Sequence, residues 1–152
     1  MKQEQGFSLI ELMVTIVIVS ILASIAIPSY RDYVIRSRIP EATSTMGDVR
    51  VRMEQFFQDN QSYPVGGCAV SPAVPTATQI SVPAGDSFNF TCAATATTYT
   101  VTSTGTGQMA GFVYTLNQFN TRTSAVTGVL ATQGWSAHSP NNCWVTKKAG
   151  GC

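Results

Sequence analysis

The sequence has few charged residues and only one histidine, and both shortages restrict its function. Charged residues make up 11% of the 152-residue chain, and the formal net charge is +1. Such a chain lacks the broad electrostatic field that attracts nucleic acid or acidic lipid. With His138 as the single histidine and no C-x-x-C pair, little material is left for a catalytic triad or a zinc site. We therefore predict that the chain is not an enzyme and that it uses no metal or cofactor.

Cysteine is scarce but even in number, and all four cysteines follow the N-terminal apolar run (Cys68, Cys92, Cys143 and Cys152). This usage is typical of two disulfides formed in an oxidising compartment. Free buried thiols are the alternative. Four cysteines allow three connectivities, of which we favour the nearest-neighbour pairing, Cys68–Cys92 and Cys143–Cys152. Disulfides would imply that this part of the chain is exported.

One long apolar run is present near the N-terminus. From Phe7 to Ile27 the only charge is Glu11, and the run is long enough for a membrane-spanning helix, which needs about 20 residues. The run is too long for the apolar core of an ordinary cleaved signal peptide. A carboxylate inside such a segment costs roughly 2.5–3.5 kcal/mol, so its presence suggests a function and a partner outside the run. A plain anchor whose Glu11 reaches the membrane interface is the alternative.

The helix is predicted to continue beyond the apolar run. Pro28 should kink it, because proline removes one backbone hydrogen bond and its ring clashes with the preceding turn. Apolar residues then recur at spacings of three and four, which predicts one buried face of an amphipathic helix. These are Ile35, Ile39, Ala42, Met46, Val49, Met53 and Phe56. Pro40 and Gly47 weaken this helix locally, and the polar run 59–63 before Pro64 should end it.

After Pro64 the apolar residues alternate, which predicts β-strands with one buried face. Three alternating sets carry this signal: Phe88, Phe90 and Cys92; Tyr99 and Val101; and Phe112, Tyr114 and Leu116. Residues 117–120 should form a hairpin turn into a fourth strand near 121–127. Three or four antiparallel strands packed on the helical stripe give an α+β fold. Residues 65–86 then form a long connection, and residues 128–152 an irregular tail.

The residues Gly6-Phe7-Ser8-Leu9-Ile10-Glu11-Leu12 resemble the prepilin motif of type IV pilins. The similarity continues through the apolar run, Pro28, the amphipathic helix and a terminal loop bounded by cysteines. The order Cys143-Trp144 and Lys147-Lys148 before Cys152 is similar to PilE-type minor or accessory pilins of Gram-negative bacteria. The resemblance implies four parts: a leader (1–6), a transmembrane or filament-core helix (7–27), an amphipathic half-helix (28–63) and a β-sheet head (64–152).

The resemblance also implies processing and assembly. A prepilin peptidase would cut between Gly6 and Phe7, and the new amine of Phe7 would be methylated. Glu11 would pair with the Phe7 amine of a neighbouring pilin subunit in a filament. The precursor would lie in the bacterial inner membrane with its head in the periplasm. An assembly platform there would then build the extracellular fibre.

Three functions remain open at this stage. The first is a structural subunit of a type IV pilus used for motility, adhesion or DNA uptake. The second is a minor pilin that binds DNA phosphates through Arg122, Lys147 and Lys148, although few cations follow residue 60 and phosphate contacts dominate DNA affinity. The third is a pseudopilin of type II secretion. The sequence does not distinguish an abundant shaft subunit from a rare one.

Overall fold

The computed structural model describes residues 7–71 and 73–152. The predicted leader, including Gly6 at the cleavage position, lies outside the described residues. A long helix, α1, spans Leu9–Asn60. The elements that follow are β1 (Cys68–Val70), β2 (Ile80–Val82), β3 (Phe88–Ala94), β4 (Tyr99–Gly105), β5 (Phe112–Asn117), β6 (Arg122–Val126) and a short helix α2 (Gly128–Thr132).

The chain divides into two compact units between Ile35 and Arg36. In the first unit, Ser8 caps α1, since its side-chain oxygen accepts the Glu11 backbone N–H at 3.4 Å. The helix contains a stretch with a mean hydropathy of 2.6, none of which is buried. By length and composition alone, this stretch is long and apolar enough to cross a membrane.

The helix assignment continues without interruption through Pro28 and Pro40. Neither proline therefore ends α1, and the kink expected at Pro28 stays a prediction. The helix ends at Asn60, three residues before the end of the predicted amphipathic segment. Gln61 then adopts a positive φ of 55°, which takes the backbone out of the helix.

The predicted apolar stripe begins at Ile35, the last residue of the first unit, and its other residues belong to the second unit; its burial is confirmed. Six of the seven residues are buried: Ile35, Ile39, Ala42, Met46, Val49 and Met53. Phe56 is half-buried, close to the end of the helix. Two hydrogen bonds tie this part of α1 to the region before β3: Arg38 donates to the Ser87 hydroxyl at 3.0 Å, and the Glu41 carboxylate accepts the Ser87 N–H at 2.9 Å.

The main sheet is antiparallel in the order β3-β4-β5-β6, so the predicted α+β fold is confirmed. Its alternating residues face the helical stripe and are buried: Phe88, Phe90, Tyr99, Val101, Phe112, Tyr114 and Leu116. The register pairs Leu116 of β5 with both Val101 of β4 and Arg122 of β6. One face of the sheet packs on the amphipathic helix, which explains both the three-to-four-residue spacing in α1 and the alternation in the strands.

The connection between α1 and β3 contains a small parallel pair of strands that the sequence did not predict. β1 and β2 pair in register from Cys68 with Ile80 to Val70 with Val82. Each has only three residues, which is too short for alternation to be recognised. The Cys68–Cys92 disulfide joins β1 to β3 with a Cα–Cα distance of 5.3 Å.

The C-terminal tail is more regular than predicted. Helix α2 follows β6, and Trp135 is buried with its ring 5.1 Å from that of Phe112. Cys143 and Cys152 form the second disulfide, with a Cα–Cα distance of 6.1 Å. Both favoured cysteine pairings are therefore present, and both Cα distances lie in the ordinary range for disulfides.

Candidate functional site

A groove of about 720 Å³ opens between the second half of α1 and the β5–β6 end of the sheet. Helix α1 contributes one wall with residues at helical spacing, among them Gly47, Arg50 and Glu54. The β5–β6 hairpin contributes Asn120 and Arg122 to the opposite side. Trp144 completes the lining from the C-terminal disulfide loop. The groove thus combines an aromatic ring with charged and amide side chains.

Trp144 is fixed in this groove by the sheet. Its indole N–H donates to the Thr115 carbonyl of β5 at 3.0 Å, and the next residue, Val145, is fully buried. The guanidinium carbon of Arg122 lies 4.7 Å from the centroid of the Trp144 ring. This is a cation–π contact, in which the cation meets the negative face of the ring. Arg122 Nε also donates a hydrogen bond to Asn120 Oδ1 at 3.3 Å, which helps to hold the guanidinium in place.

Glu54 connects the groove to two tyrosines. The hydroxyls of Tyr63 and Tyr99 both donate to Glu54 Oε1, at 3.2 and 3.3 Å. Their rings meet edge to face, 4.8 Å apart. Burial, followed by the negative charge of Glu54, raises the pKa of both hydroxyls above the ordinary tyrosine value. The two tyrosines therefore remain neutral donors that orient the Glu54 carboxylate.

Arg50 carries a donor that the described residues leave unsatisfied. Its Nε is buried and has no hydrogen-bond partner within residues 7–71 and 73–152. Buried side-chain nitrogens are nearly always bonded, so such an atom needs an explanation. With Arg50 and Arg122 against Glu54, two positive charges less one negative charge leave the groove lining at +1.

The β5–β6 turn next to the groove is rigidly organised. Asn117 Oδ1 accepts the backbone N–H groups of Phe119 at 3.0 Å and Thr121 at 2.9 Å. Asn120 takes a positive φ of 58°, which asparagine tolerates better than most residues. Phe119 is 80% exposed at the tip of this turn. The predicted hairpin turn is confirmed, and it presents an aromatic ring to solvent.

Of the three cations predicted as DNA contacts, one lines the groove, and their role in DNA binding stays a prediction. Arg122 lines the groove, whereas Lys147 and Lys148 lie in the disulfide loop and are not among its lining residues. Lys147 pairs with Gly151 across that loop. Sequence reasoning missed Arg50. Its signal was the 3, 4 spacing of Gly47, Arg50 and Glu54 on the helix, beside the apolar stripe.

His138 lies beside the second disulfide. Its Nδ1 is 2.7 Å from the Gly150 carbonyl oxygen, and one of its ring nitrogens lies within 4.8 Å of the sulfurs of Cys143 and Cys152. Metal binding requires thiolates, and these two sulfurs are bonded to each other. The arrangement therefore fixes the C-terminal loop through the Gly150 carbonyl.

Glu11 lies exposed in the first turn of α1. A negative charge there is favoured by the helix dipole, at about 0.3–1 kcal/mol when exposed. This placement alone fits the interpretation of Glu11 as a helix-terminal charge. Pairing with the amine of a neighbouring subunit stays a prediction.

Comparisons with known proteins agree with this architecture. Residues 1–27 match a family model described as the prokaryotic N-terminal methylation motif. That motif, the long apolar helix and the disulfide-bonded α+β head define the class of type IV pilins. Residues 28–113, more than half of the chain, match the model described as type IV minor pilin ComP, DNA uptake sequence receptor, and the chain belongs to this family.

Curated relatives are fimbrial proteins. Fimbrial protein EcpC of Eikenella corrodens is 42% identical over 74 residues, which cover 48% of each chain. A fimbrial protein of Pseudomonas aeruginosa is 37% identical over 82 residues, covering 54% of this chain and 49% of the relative. The type IV major fimbrial protein FimA of Dichelobacter nodosus is 43% identical over 58 residues, covering 38% and 36%. The chain thus spans about half the length or less of these relatives, and no solved structure matches it.

Proposed function

We propose that this chain polymerises through its N-terminal helix into a type IV pilus. The observation that carries the proposal is the exposure of the apolar side chains from Leu9 to Ile27 in the single subunit. An exposed apolar surface of this length needs a membrane or other subunits to cover it. The matched families and relatives are pilins and fimbrial proteins, which favours a pilus over a secretion pseudopilin.

Processing would prepare the subunit for assembly. A prepilin peptidase cuts between Gly6 and Phe7, and the Phe7 amine is methylated. The match of residues 1–27 to the N-terminal methylation motif supports both steps. The precursor lies in the inner membrane with its head in the periplasm, and the assembly platform transfers it to the extracellular fibre.

In the proposed fibre, Glu11 gains a partner on a neighbouring subunit. Cleavage creates a cationic amine at Phe7, and in a fibre the Glu11 carboxylate of one subunit meets the amine of another. Two unit charges about 4 Å apart attract by roughly 4 kcal/mol at an effective dielectric of about 20, before desolvation is subtracted. This attraction would set the axial position of helices that otherwise make only apolar contacts.

The Glu11→Gln variant tests this assembly contact. The amide keeps the size of the side chain and removes its charge, so cleavage and insertion should remain normal. Removing a carboxylate from an apolar segment should favour the membrane-bound monomer, by up to roughly 3 kcal/mol on insertion scales. We expect the monomer level in the inner membrane to hold or rise while incorporation into sheared fibres falls.

Glu4→Gln is the matched control. It removes the same charge from the leader, which cleavage discards, so fibre incorporation should equal that of the wild type. Equal incorporation of Glu11→Gln would show that Glu11 is not an assembly contact. A parallel fall in monomer and fibre would instead indicate misfolding.

A second candidate function is DNA binding by the head. The family description names a DNA uptake sequence receptor, and Arg122 lies at the groove with Trp144 beside it. Arg122, Lys147 and Lys148 against Asp86 give residues 61–152 a net charge of +2, which supports only a few phosphate contacts. A gel shift with the full chain in detergent micelles, repeated at two salt concentrations, tests this function.

A further inference from the structure

We propose that the C-terminal loop binds a thiophilic divalent cation of the class of Zn²⁺ through His138, Cys143 and Cys152 when the two cysteines are reduced. One ligand atom from each of these side chains lies within 4.8 Å of the other two. Within residues 7–71 and 73–152, no second group of three histidine, cysteine or carboxylate side chains is close enough to hold a metal ion. His138 alone cannot form a zinc site, but the fold brings two sulfurs to it.

The ligand set exists while both cysteines carry thiols. This is the state of a newly made chain, and a dithiol reductant restores it. The dithiol gives two electrons and two protons to the Cys143–Cys152 bond and becomes a disulfide itself. On binding, the cation displaces the proton of each thiol into solvent, so that two thiolates and a neutral imidazole hold it. The inference depends neither on polymerisation nor on DNA binding.

The imidazole of His138 is already oriented as in a metal site. Its Nδ1 lies 2.7 Å from the Gly150 carbonyl oxygen, and since a carbonyl only accepts, Nδ1 carries the proton. The lone pair of the neutral ring is then on Nε2, which is the nitrogen available to a cation. Metal-binding histidines commonly donate their other ring N–H to a backbone carbonyl, which fixes the tautomer and the orientation of the ring.

Backbone bonds outside the disulfide hold both cysteines in position. The Cys143 carbonyl accepts the Ser124 hydroxyl at 2.8 Å. The carbonyl of Gly151, the neighbour of Cys152, accepts the Lys147 N–H at 2.9 Å. These bonds do not involve the sulfur atoms. Opening the sulfur–sulfur bond therefore leaves the backbone that carries the two thiols attached to the head.

The spacing and exposure of the three side chains suit a small tetrahedral ion. Zn²⁺ binds thiolates at about 2.3 Å, so two thiolates on one ion lie roughly 3.8 Å apart. The Cα–Cα distance of 6.1 Å between Cys143 and Cys152 allows this separation after rotation of the side chains. Cys152 is exposed, so solvent can reach the ion and supply a fourth ligand. Two sulfurs and one nitrogen favour Zn²⁺ over Mg²⁺ and Ca²⁺, which prefer oxygen ligands.

Cysteine labelling of the full chain in detergent micelles, without a histidine tag, tests the site directly. The chain is reduced with a water-soluble phosphine, which becomes the phosphine oxide, and is then desalted under nitrogen. Alkylation with and without equimolar Zn²⁺ is followed by mass spectrometry of tryptic peptides. Trypsin cuts at the two lysines between Cys143 and Cys152, which puts these cysteines on separate peptides.

Zn²⁺ should suppress the alkylation of Cys143 and Cys152, because a metal-bound thiolate is no longer a free nucleophile. Cys68 and Cys92 serve as an internal control, since the metal-ligand group of the described residues does not include them. Their peptide should be alkylated at the same rate with and without Zn²⁺. Equimolar Mg²⁺ should protect none of the four cysteines.

His138→Gln is the discriminating variant. The glutamine amide keeps a donor for the Gly150 carbonyl but has no imidazole nitrogen. Competition with a chromogenic zinc chelator should show one Zn²⁺ bound per reduced wild-type chain and none bound to the oxidised chain. His138→Gln should weaken the binding by about tenfold or more, because loss of a mere supporting residue already costs about 10–100-fold. Its oxidised form should unfold at the same temperature as the wild type.

Several results would overturn the inference. Equal Zn²⁺ affinity of the wild type and His138→Gln, or equal protection of all four cysteines, would show that thiols alone capture the ion. A reduced chain that unfolds cooperatively but takes up no Zn²⁺ would show that the loop holds no metal site. Loss of the cooperative transition on reduction would show that the ligands do not stay assembled, and the inference would fail as well. The pilus-subunit function is independent of these outcomes.

Discussion

The side-chain amide of Asn141 pairs with the backbone of Ser124 as a neighbouring strand would. Asn141 Nδ2 donates to the Ser124 carbonyl at 2.9 Å, and Asn141 Oδ1 accepts the Ser124 N–H at 2.9 Å. Ser124 lies in β6, one of the two outer strands of the four-stranded sheet, where backbone groups would otherwise be open to pairing with another chain. The C-terminal tail thus protects this edge at its centre.

The hydroxyl of Ser124 also bonds to the C-terminal tail, and removing this hydroxyl should destabilise the head. It donates to the Cys143 carbonyl at 2.8 Å and accepts the Val145 N–H at 2.9 Å. Ser124→Ala leaves both backbone groups without their partner in a buried site. We expect a loss of about 1–3 kcal/mol in the free energy of unfolding, measured by thermal or denaturant unfolding of the full chain.

Ser103 is the matched control, because it is equally buried on β4 but its hydroxyl has no hydrogen-bond partner among the described residues. Ser103→Ala removes an unsatisfied group and should leave stability unchanged or raise it by up to about 1 kcal/mol. Equal losses in the two variants would mean that the bonds of Ser124 contribute nothing beyond its volume.

Two buried tyrosines should make the head sensitive to alkaline pH. Burial raises the pKa of Tyr99 and of Tyr114, whose hydroxyl donates to the Val145 carbonyl at 2.8 Å. In the unfolded chain a tyrosine loses its proton near pH 10, whereas these two keep theirs in the folded protein. Their contribution to stability is therefore fully present below about pH 10 and is lost as the pH rises further.

Unfolding at a series of pH values from about 9 to about 12 measures this effect. The free energy of unfolding should fall above about pH 10 in the wild type, and it should fall less steeply in Tyr99→Phe and in Tyr114→Phe. Tyr114→Phe should also cost about 0.5–1.5 kcal/mol at neutral pH, because the Val145 carbonyl loses its donor. Variant curves parallel to the wild type would contradict the proposed cause.

Gly47 offers a simple way to stabilise α1. It lies inside the helix, where glycine is less favourable than alanine by roughly 0.5–1 kcal/mol. A methyl group there would meet nothing within 4 Å. Gly47→Ala should therefore raise the free energy of unfolding by about that amount, measured by denaturant unfolding.

Gly67→Ala should lower the free energy of unfolding, in contrast to Gly47→Ala. Gly67 has a positive φ of 71°, and an added Cβ would collide with the Cys92 carbonyl oxygen. Backbone strain alone should cost about 1–3 kcal/mol. If both glycine variants changed stability in the same direction, local backbone conformation would not explain either effect.

The sequence predicted those parts of the fold in which one buried face repeats regularly. The stripe from Ile35 to Met53 has a helical period, and the alternation in β3, β4 and β5 has a period of two, because helix and sheet pack against each other. β1 and β2 were missed because three residues do not establish a period. Their pairing depends on the path of the connection that brings β2 back beside β1, which is a tertiary feature.

The groove could be predicted only in part. Arg122 attracted notice as a rare cation, but its contact with Trp144 depends on two tertiary features. One is the strand register that places Arg122 opposite Leu116, and the other is the disulfide loop that brings Trp144 back to β5. Neither feature leaves a periodic signal in the sequence. Arg50 was missed because its unsatisfied Nε is visible only once the burial of that atom is known.

The second disulfide should position Trp144, whereas the first should act on stability alone. In the chain-entropy model, the Cys143–Cys152 bond, with a sequence separation of 9, contributes about 2.7 kcal/mol, and the Cys68–Cys92 bond, with a separation of 24, about 3.5 kcal/mol. The double variant C68S/C92S should therefore lose more stability than C143S/C152S.

Only C143S/C152S should loosen the Trp144 indole from the Thr115 carbonyl, seen as a red shift and lower anisotropy of tryptophan emission. Trp135 lies outside both loops and is 1% exposed, so we expect its emission to shift less than that of Trp144. A red shift of similar size in both variants would mean that the disulfide loop does not hold Trp144 in the groove.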